Sequence, residues 1–324
     1  MKNVLVLGGT GFVGTHVCEK LVRAGYTVTV PTRRWNNAQD VLHLPSLTVR
    51  ELDVHDATAL ARAAEGHDAV VNLVAILHGD QAAFNKVHVE LPQKIAAACA
   101  SAGVAQLVHI SALGANVQKP ASLPSMYLRS KSLGEAILLA SCGQMALTIL
   151  RPSVIFGAGD KFLNLFASLQ KIAPFVPLAG ADARFQPVWV EDVAAAVVKS
   201  LERSSPGVQT LEACGPGVFT LKALVELSAR LAGVNEGRGR PVLGLPQWAG
   251  ALQARLMELK PGVPLMSRDN LDSMRVPNVA TPGMPGLEAL GIQPAALEPV
   301  ARDYLSQGSP WHDLLGVRLR SHWK

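Results

Sequence analysis

The stretch VLVLGGTGFVG, residues 4–14, places four apolar residues directly before a glycine-rich loop. Residues 4–7 predict a short buried strand, and a helical pattern of apolar residues follows over 12–24. Glycines between a strand and a helix permit a tight turn, and the N–H groups and positive dipole end of the helix suit a pyrophosphate. A bare structural turn is the alternative. The loop, spaced GxxGxxG rather than the commoner GxGxxG, predicts a dinucleotide site lined by Gly8, Thr10, Gly11, Phe12, Val13 and Gly14.

The same alternation of strand and helix continues to residue 150. Apolar or β-branched strands are predicted at 4–7, 26–30, 46–52, 68–75, 106–111 and 147–150. Helices are predicted at 12–24, 57–65, 82–102 and 125–140. Continuous apolar strands separated by helices are typical of a parallel sheet covered on both faces, so the expected fold is a doubly wound α/β Rossmann fold.

The pattern changes after Arg151-Pro152, where proline- and glycine-rich connections join shorter helices at 161–172, 191–202, 219–232, 246–259 and 294–306. We therefore expect a dinucleotide-binding domain over 1–158, to which 187–215 returns. Residues 159–324 are expected to form a smaller, mixed subdomain for substrate or partner, ending in a basic tail that contains tryptophans.

Composition narrows the function classes. The 324 residues are 49% hydrophobic and 17% charged, which excludes a disordered or coiled-coil chain. The longest nearly unbroken apolar run, 69–77, is far shorter than the roughly 20 residues of a membrane span. We expect no export signal, four reduced cysteines, no metal site and no nucleic-acid partner. A cytoplasmic location is expected, with peripheral contact at the inner face of a membrane as the second option; the net charge of +5 suits acidic lipid as well as anionic small molecules.

The end of the second strand indicates which dinucleotide is bound. Thr32 stands where a carboxylate would hold the ribose 2′-hydroxyl of NAD, and Arg33 and Arg34 follow it. A guanidinium pairs with a 2′-phosphate, so NADP(H) is favoured; two solvated loop arginines are the alternative. Asp53, with Val54, ends the third strand, where the carboxylate either takes the adenine amino group or starts a turn.

Tyr127 and Lys131 lie four residues apart on the helix after the fifth strand, so both face the same side. A tyrosine that acts as acid or base near neutrality must lose about three pKa units, or roughly 4 kcal/mol. One ammonium at about 4 Å can supply that. The pair predicts a proton-transfer site in which Lys131 lowers the pKa of Tyr127; an exposed surface pair is the alternative.

With GxxGxxG and YxxxK in register, the chain resembles the short-chain dehydrogenase/reductase superfamily in its extended and atypical branches. RPSVIFGAGD (151–160), QPVWVEDVA (186–194) and CGPG (214–217) continue the likeness. VNLV (71–74), HISALGAN (109–116) and LGI (290–292) look like the relatives of the Rossmann-fold accessory subunit of respiratory complex I and its free-standing bacterial epimerase/dehydratase-like relatives. The resemblance implies NADPH binding and a catalytic Ser111, with further cofactor contacts from Leu73, Val74, Ala75, Tyr127, Lys131, Pro152 and Val154. The alternative for Ser111 is a hydroxyl at the strand end that bonds to backbone.

One departure from the family pattern limits the functional prediction. Active extended members usually carry a second hydroxyl after the strand-five serine, whereas Ala112 follows Ser111 here. The first hypothesis is an NADP(H)-dependent oxidoreductase on an apolar carbonyl or alcohol that is quinone-, isoprenoid- or steroid-like. The second is a catalytically weak NADPH-binding structural or assembly protein, with a second copy or a respiratory complex as partner. A nucleotide-sensing regulator is a third hypothesis that depends on fold analogy alone.

Trp248, Leu252, Leu256 and Leu259 form an apolar stripe at helical spacing, with Arg255 and Lys260 beside it. Such stripes are more often core or a subunit contact than membrane-bound, so those interpretations come first. The tail 308–324, which mixes tryptophans with cations, raises the same choice between a membrane surface, a partner and the chain's own core.

Overall fold

In the computed structural model, residues 2–203, 206–259 and 264–306 are described. Its strands, in chain order, are β1 Asn3–Leu7, β2 Thr27–Thr32, β3 Leu47–Glu51, β4 Ala69–Asn72, β5 Gln106–Ile110, β6 Ala146–Pro152, β7 Ile155–Phe156, β8 Val176–Ala179, β9 Arg184–Phe185, β10 Val188–Trp189, β11 Val208–Ala213, β12 Phe219–Thr220 and β13 Val242–Leu245. Its α-helices are α1 Phe12–Arg23, α2 Ala57–Ala64, α3 Gln81–Asn85, α4 Leu91–Ala102, α5 Met126–Ser141, α6 Leu163–Ile172, α7 Val190–Glu202, α8 Leu221–Leu231, α9 Gln247–Glu258, α10 Arg268–Ser273 and α11 Leu297–Leu305.

The chain divides into two compact units. Unit 1 comprises Met1–Ser153, Val190–Cys214 and Ala280–Gln293. Unit 2 comprises Val154–Trp189, Gly215–Val279 and Pro294–Lys324. The segment Ala280–Gln293, which the sequence pattern did not mark as returning to the first unit, is held there by Thr281, whose N–H and hydroxyl both donate to the carboxylate of Glu212.

Unit 1 contains a seven-stranded sheet in the order β11-β6-β5-β4-β1-β2-β3, and each neighbouring pair is parallel. The predicted doubly wound Rossmann fold is confirmed. Because strand order reverses between β1 and β4, the crevice at their carboxyl ends is where such sheets bind ligands. Leu7 pairs with Asn72 at that edge. The glycine loop, which follows Leu7, therefore lies at the crevice.

The strands of unit 1 are apolar because both faces of the sheet are covered. The main cluster contains Leu5, Leu7 and Leu107, together with apolar residues of α2, α4 and α5. Arg151 on β6 forms a two-pronged ion pair with the fully buried Glu135 of α5. This pair satisfies a carboxylate that would be costly to bury alone, and it holds α5 against the sheet.

The long helix predicted at 82–102 is interrupted. Residues 86–90 form a π-helical turn between α3 and α4. Pro92 has no N–H to donate to the carbonyl of His88, so the α-helical bond at that point is missing. The freed His88 carbonyl faces Gly134 of α5, where a Cβ atom would stand only 2.1 Å from the oxygen. The turn therefore places His88 against the helix that carries Tyr127 and Lys131.

Unit 2 is built from helices and three two-stranded sheets: β10 with β7, β12 with β9, and β13 with β8. Its connections are organised by Asp160, which is buried. The carboxylate accepts the N–H groups of Gly157, Phe162 and Asn164 and the hydroxyl of Tyr304 on α11. Asp160 thus links the start of this unit to its last described helix.

The apolar stripe of α9 (Trp248, Leu252, Leu256 and Leu259) does not form core. The four side chains are 73%, 53%, 60% and 77% exposed. The core interpretation is wrong because the small residues Gly250 and Ala254 are the ones that α9 buries. None of the described helices is both long and apolar enough to cross a bilayer. The tail 308–324 lies outside the described residues.

Candidate functional site

The glycine loop adopts the geometry of an anion cradle. Gly8 lies in the left-handed region with φ of 83°, and its carbonyl accepts the N–H of Gly11 at 3.1 Å. Gly11 is the N-cap of α1 with extended backbone, and no side chain caps the helix. The first N–H groups of α1, those of Phe12 and Val13, are therefore left for an external acceptor.

Two glycines of this loop have different physical roles. A Cβ on Gly14 would stand 2.2 Å from the carbonyl oxygen of Gly8 and 2.6 Å from the Cα of Gly9, so a side chain cannot fit. A Cβ on Gly11 would meet only the oxygen of Gly8, at 3.4 Å, and Gly11 is exposed. Gly14 lets the helix pack on the loop, and Gly11 keeps the outer side of the loop open. Thr10, beside Gly11, is half-buried. These features fit a pyrophosphate.

The end of β2 presents cations to the same edge of the sheet. The Thr32 hydroxyl donates to the carbonyl of Arg34 at 3.0 Å, which shapes the chain after the strand. Arg33 and Arg34 are exposed, and neither forms an ion pair within the part of the chain that the structure describes. Both guanidinium groups are consequently available to an anionic ligand.

Asp53 starts a turn. Its carboxylate accepts the N–H of His55 at 3.0 Å, and its carbonyl accepts the N–H of Asp56. This geometry matches the turn alternative, and a contact with adenine stays a prediction. The neighbouring Val54 is half-buried and packs against the core of unit 1.

The chain after β4 passes directly beneath the glycine loop. The N–H of Leu73 donates to the carbonyl of Leu7, and a Cβ on Gly8 would stand 3.2 Å from the Leu73 carbonyl carbon. Val74 packs partly against the core, and Ala75 is exposed. Leu73 and Gly8 therefore meet where the resemblance places the cofactor, while Val74 also contributes to packing.

Lys131 and Ser111 meet at the carboxyl end of β5, and Tyr127 lies on the helix that carries Lys131. The Lys131 ammonium, only 2% exposed, donates to the carbonyl of Ile110 at 2.9 Å. Ser111 follows Ile110 and is 3% exposed, and its hydroxyl has no hydrogen-bond partner. Tyr127 lies one helical turn before Lys131 on α5 and is half-buried. A buried hydroxyl without a partner is a costly feature in a core and an ordinary one in a site that binds a polar group.

The protonation states differ from the expectation. Burial raises the pKa of Tyr127, the opposite direction to the lowering by Lys131 that the sequence predicts. Burial lowers the pKa of Lys131 to about 8, against the raising effect of Glu135. The Lys131 ammonium is directed to the Ile110 carbonyl. At neutral pH the phenol therefore carries its proton, and its raised pKa makes it a weaker acid than a free tyrosine.

Two buried histidines beside this group were missed from the sequence. His88 accepts the N–H of Ile76 at Nε2, so its Nδ1–H donates to the hydroxyl of Ser130, which in turn donates to the Tyr127 carbonyl. The rings of His88 and Tyr127 contact edge to face at 5.5 Å. The π-helical turn that points His88 inward has no signal except Pro92. His88 therefore bridges the loop after β4 to the helix of Tyr127.

His109 on β5 lies in the segment 109–116, which carries part of the family resemblance, and no role was predicted for it. Asn72 accepts the N–H of Val74 with its oxygen, so its amide nitrogen donates to Nδ1 of His109 at 3.0 Å. The proton of His109 is then on Nε2, which is buried without a partner. Burial, with Lys131 as a second cause, lowers the pKa of His109 to about 3. Neighbouring strands thus present a neutral imidazole and an amide to the same region.

The two cofactor contacts expected after β6 fall in different units. Pro152 ends β6 in unit 1, where its carbonyl accepts the N–H of Leu113. Val154 belongs to unit 2, and its N–H donates to the side chain of Asn278 at 3.1 Å. Their roles in binding a cofactor stay predictions.

No cluster of three or more histidine, cysteine, aspartate or glutamate side chains suited to a metal ion occurs among residues 2–203, 206–259 and 264–306. Burial raises the pKa of the thiols of Cys18, Cys99 and Cys214 to about 12, so these cysteines stay protonated at neutral pH.

Comparisons with known proteins agree with this geometry. Residues 4–212 match the model of the NAD dependent epimerase/dehydratase family. The chain is 32% identical to the mouse mitochondrial protein named NADH dehydrogenase [ubiquinone] 1 alpha subcomplex subunit 9, over 90% of this chain and 77% of that protein. It is 31% identical to a ceramide reductase of Caulobacter vibrioides, over 60% of this chain and 59% of that protein. The resemblance inferred from the motifs is confirmed.

A solved structure supports the fold. MoeE5 in complex with UDP-glucose and NAD superposes with a TM-score of 0.71 at 18% identity, covering 94% of this chain and 97% of that chain. At this identity the likeness concerns the fold alone.

Proposed function

Because this chain belongs to the NAD dependent epimerase/dehydratase family, we propose that it is an NADP(H)-dependent oxidoreductase that reduces an apolar carbonyl compound to an alcohol. The observation that carries the proposal is the approach of Lys131 to the partnerless hydroxyl of Ser111 at the end of β5, with Tyr127 one helical turn from Lys131 on α5. A protonated phenol and a free hydroxyl are the groups that a carbonyl oxygen requires when it becomes an alcohol.

The cofactor would be held by the glycine loop and the arginines. The N–H groups at the start of α1 would bind the pyrophosphate, and Arg33 and Arg34 would bind the 2′-phosphate. NADPH supplies a hydride when bound. The preference for NADP(H) over NAD(H) is supported by the neutral Thr32, which replaces the carboxylate that would bind a 2′-hydroxyl.

The proton in this reaction would come from Tyr127. Tyr127 is protonated at neutral pH, and a lowering of its raised pKa when cofactor and substrate bind would let it donate to a carbonyl oxygen that gains electron density. The positive charge of the Lys131 ammonium would stabilise the phenolate that forms. Ser111 would donate its unused hydrogen bond to the same oxygen. The carbonyl compound would thus gain a hydride from NADPH and a proton from Tyr127 and become an alcohol.

The apolar nature of the substrate is supported by two observations. The sequence around 161–178 and 243–266 is rich in leucine, proline and valine, although Leu163, Phe166 and Ala167 of this set form core in unit 2. A ceramide reductase, by its name an enzyme of lipid substrates, is among the relatives. We propose a quinone-, isoprenoid- or steroid-like carbonyl as the substrate class.

A second function is favoured by specific observations. Ala112 removes a hydroxyl that active extended members have, and the loss of one such donor costs about 10²–10³ in rate. In addition, the relative of 32% identity is named as a subunit of NADH dehydrogenase. The alternative is an NADPH-binding structural or assembly protein with a respiratory complex or a second copy as partner. In both cases we propose a cytoplasmic location, with peripheral contact at the inner face of a membrane as the second option.

Turnover measurements separate the two functions. Apolar ketones and quinone-like carbonyls are supplied with NADPH, and wild type is compared with Tyr127→Phe, Ser111→Ala and Ala112→Thr. Loss of the proton donor in Tyr127→Phe should lower kcat by about 10²–10⁴. Ala112→Thr should raise it, because a hydroxyl is restored. Tyr26→Phe, at a buried tyrosine of unit 1 away from the site, is the matched control.

Two results would count against the reductase. If Tyr127→Phe is as fast as wild type, the proton does not come from Tyr127. If no variant turns over any carbonyl while NADPH stays bound, the structural function is the better account.

A further inference from the structure

Helix α9 of unit 2 carries its large apolar side chains on the outside. Each member of the α9 apolar stripe (Trp248, Leu252, Leu256 and Leu259) is at least half exposed. A surface helix of a globular protein normally directs this stripe to the core and its polar residues to water. The orientation of α9 is the reverse, so the stripe requires an explanation outside the fold of its own unit.

The inner face of α9 shows why the stripe cannot turn inward. Gly250 and Ala254 are the buried residues of the helix. A Cβ on Gly250 would stand 2.8 Å from the Cβ of Ala179 on β8, so helix and strand are already in close contact. Gln253 fixes the rotation of the helix by donating to the carbonyl of Pro177. There is no space on this side for a tryptophan and three leucines.

Further exposed apolar residues belong to the elements beside α9. Strand β13 leads into α9 and pairs with β8, with Leu243 opposite Pro177. Their exposed large side chains, and those of the flanking segments, are Ile172, Phe175, Leu243 and Leu265. With the stripe they make eight, and we call the eight together the α9 surface. Monomeric soluble proteins rarely expose apolar groups in this concentration without a binding partner.

Charge identifies the partner. The segments 163–181 and 237–257, which contain most of the α9 surface, include Lys171, Arg238, Arg240 and Arg255. Glu258, the acidic residue of α9, is paired with Arg268 at 2.8 Å. Arg255 lies beside the stripe on α9, is exposed and has no ion pair among the described residues. A second copy of this chain would oppose these cations to themselves across a two-fold interface, which is unfavourable. An anionic surface would attract them.

We propose that the α9 surface binds the face of a lipid bilayer that contains anionic lipids. The stripe enters the boundary between headgroups and acyl chains, and the exposed cations Lys171, Arg238 and Arg255 meet the lipid phosphates. A tryptophan beside leucines and arginine is the combination that interfacial helices use. This inference goes beyond the proposed function, since it concerns unit 2 and holds whether or not the site in unit 1 turns over a substrate.

Vesicle flotation with the full chain tests the proposal. Vesicles of phosphatidylcholine alone are compared with vesicles that also contain phosphatidylglycerol, and we expect binding to the second kind, weakened by salt. Leu252→Ser with Leu256→Ser should lower partitioning about tenfold or more for each leucine. Lys171→Gln with Arg255→Gln should reduce binding to the anionic vesicles only.

The matched control is Leu42→Ser with Val218→Ser, two exposed apolar residues outside the α9 surface, which should bind as wild type does. Unfolding temperature and NADPH binding, measured on each variant, show that the fold is intact. Unchanged binding of Leu252→Ser with Leu256→Ser would overturn the proposal. So would a dimer, detected by sedimentation without any vesicle binding, that the same variant dissociates, because the stripe would then be a subunit interface.

Discussion

At the scale of single residues, the neutral histidines beside Tyr127 and Lys131 determine how the site responds to acid. Burial, with Lys131 and His109 as lesser causes, lowers the pKa of His88 to about 2, and the pKa of His109 is lowered to about 3. Their ordinary value is 6.5. Protonation would place a second positive charge beside the Lys131 ammonium and would break the bond that His88 accepts from Ile76. Both imidazoles therefore stay neutral while the chain is folded.

The expected consequence is a loss of stability with falling pH. Below about pH 6.5 the unfolded chain binds protons on these histidines and the folded chain does not. The free energy of unfolding therefore keeps its full value above about pH 6.5 and declines as the pH falls below it. Each histidine should remove about 2 kcal/mol between about pH 7 and about pH 5. Chemical denaturation at a series of pH values measures this decline. His88→Gln should reduce this decline by about 2 kcal/mol, the contribution of one histidine.

His43→Gln, at an exposed histidine, is the control and should leave the decline unchanged. An equal decline in wild type and His88→Gln would contradict the neutral, buried state of His88.

At the scale of elements, the glycine loop separates stability from binding. Gly14→Ala should destabilise the protein by about 1–3 kcal/mol or more, because the new methyl group would overlap the Gly8 carbonyl. Gly11→Val should keep the unfolding temperature near that of wild type and abolish NADPH binding, because its side chain occupies the open side of the loop. Thermal unfolding and calorimetric titration of both variants check the two effects. Binding retained by Gly11→Val would show that the loop is a turn and no more.

The elements also show what the sequence could and could not predict. The strands of the parallel sheet could be predicted from the sequence because their apolar residues are continuous, as in residues 4–7. The π-helical turn at 86–90 was not, since the apolar pattern runs through it and only Pro92 interrupts the hydrogen bonding. The α9 apolar stripe was read correctly as a helix face, but which side faced the core depended on Gly250 meeting Ala179, a contact between residues 71 positions apart.

At the scale of the whole molecule, contacts between residues far apart in the sequence limit what the sequence alone can predict. The glycine loop, Tyr127 and Lys131 were predicted from local spacing. In the structure, Lys131 donates to the carbonyl of Ile110, the residue before Ser111. The return of Ala280–Gln293 to unit 1 depends on Thr281 and Glu212, and a single sequence carries no mark of such a pair. The raised pKa of Tyr127 likewise depends on burial, which spacing does not reveal.

Both proposed functions share one central claim, that unit 1 binds NADPH through its glycine loop and the two arginines after β2. Calorimetric titration of the full chain with NADPH and NADH tests it most directly, on wild type, on Arg33→Ala with Arg34→Ala, and on the control Arg23→Ala with Arg62→Ala. We predict tighter binding of NADPH, and a loss of about 10²–10⁴-fold in the first double variant, because two charge-assisted bonds worth about 1.5–3 kcal/mol each are removed. NADH affinity and the control should change little. Equal affinity for the two nucleotides in wild type, or undiminished NADPH binding without Arg33 and Arg34, would contradict the claim.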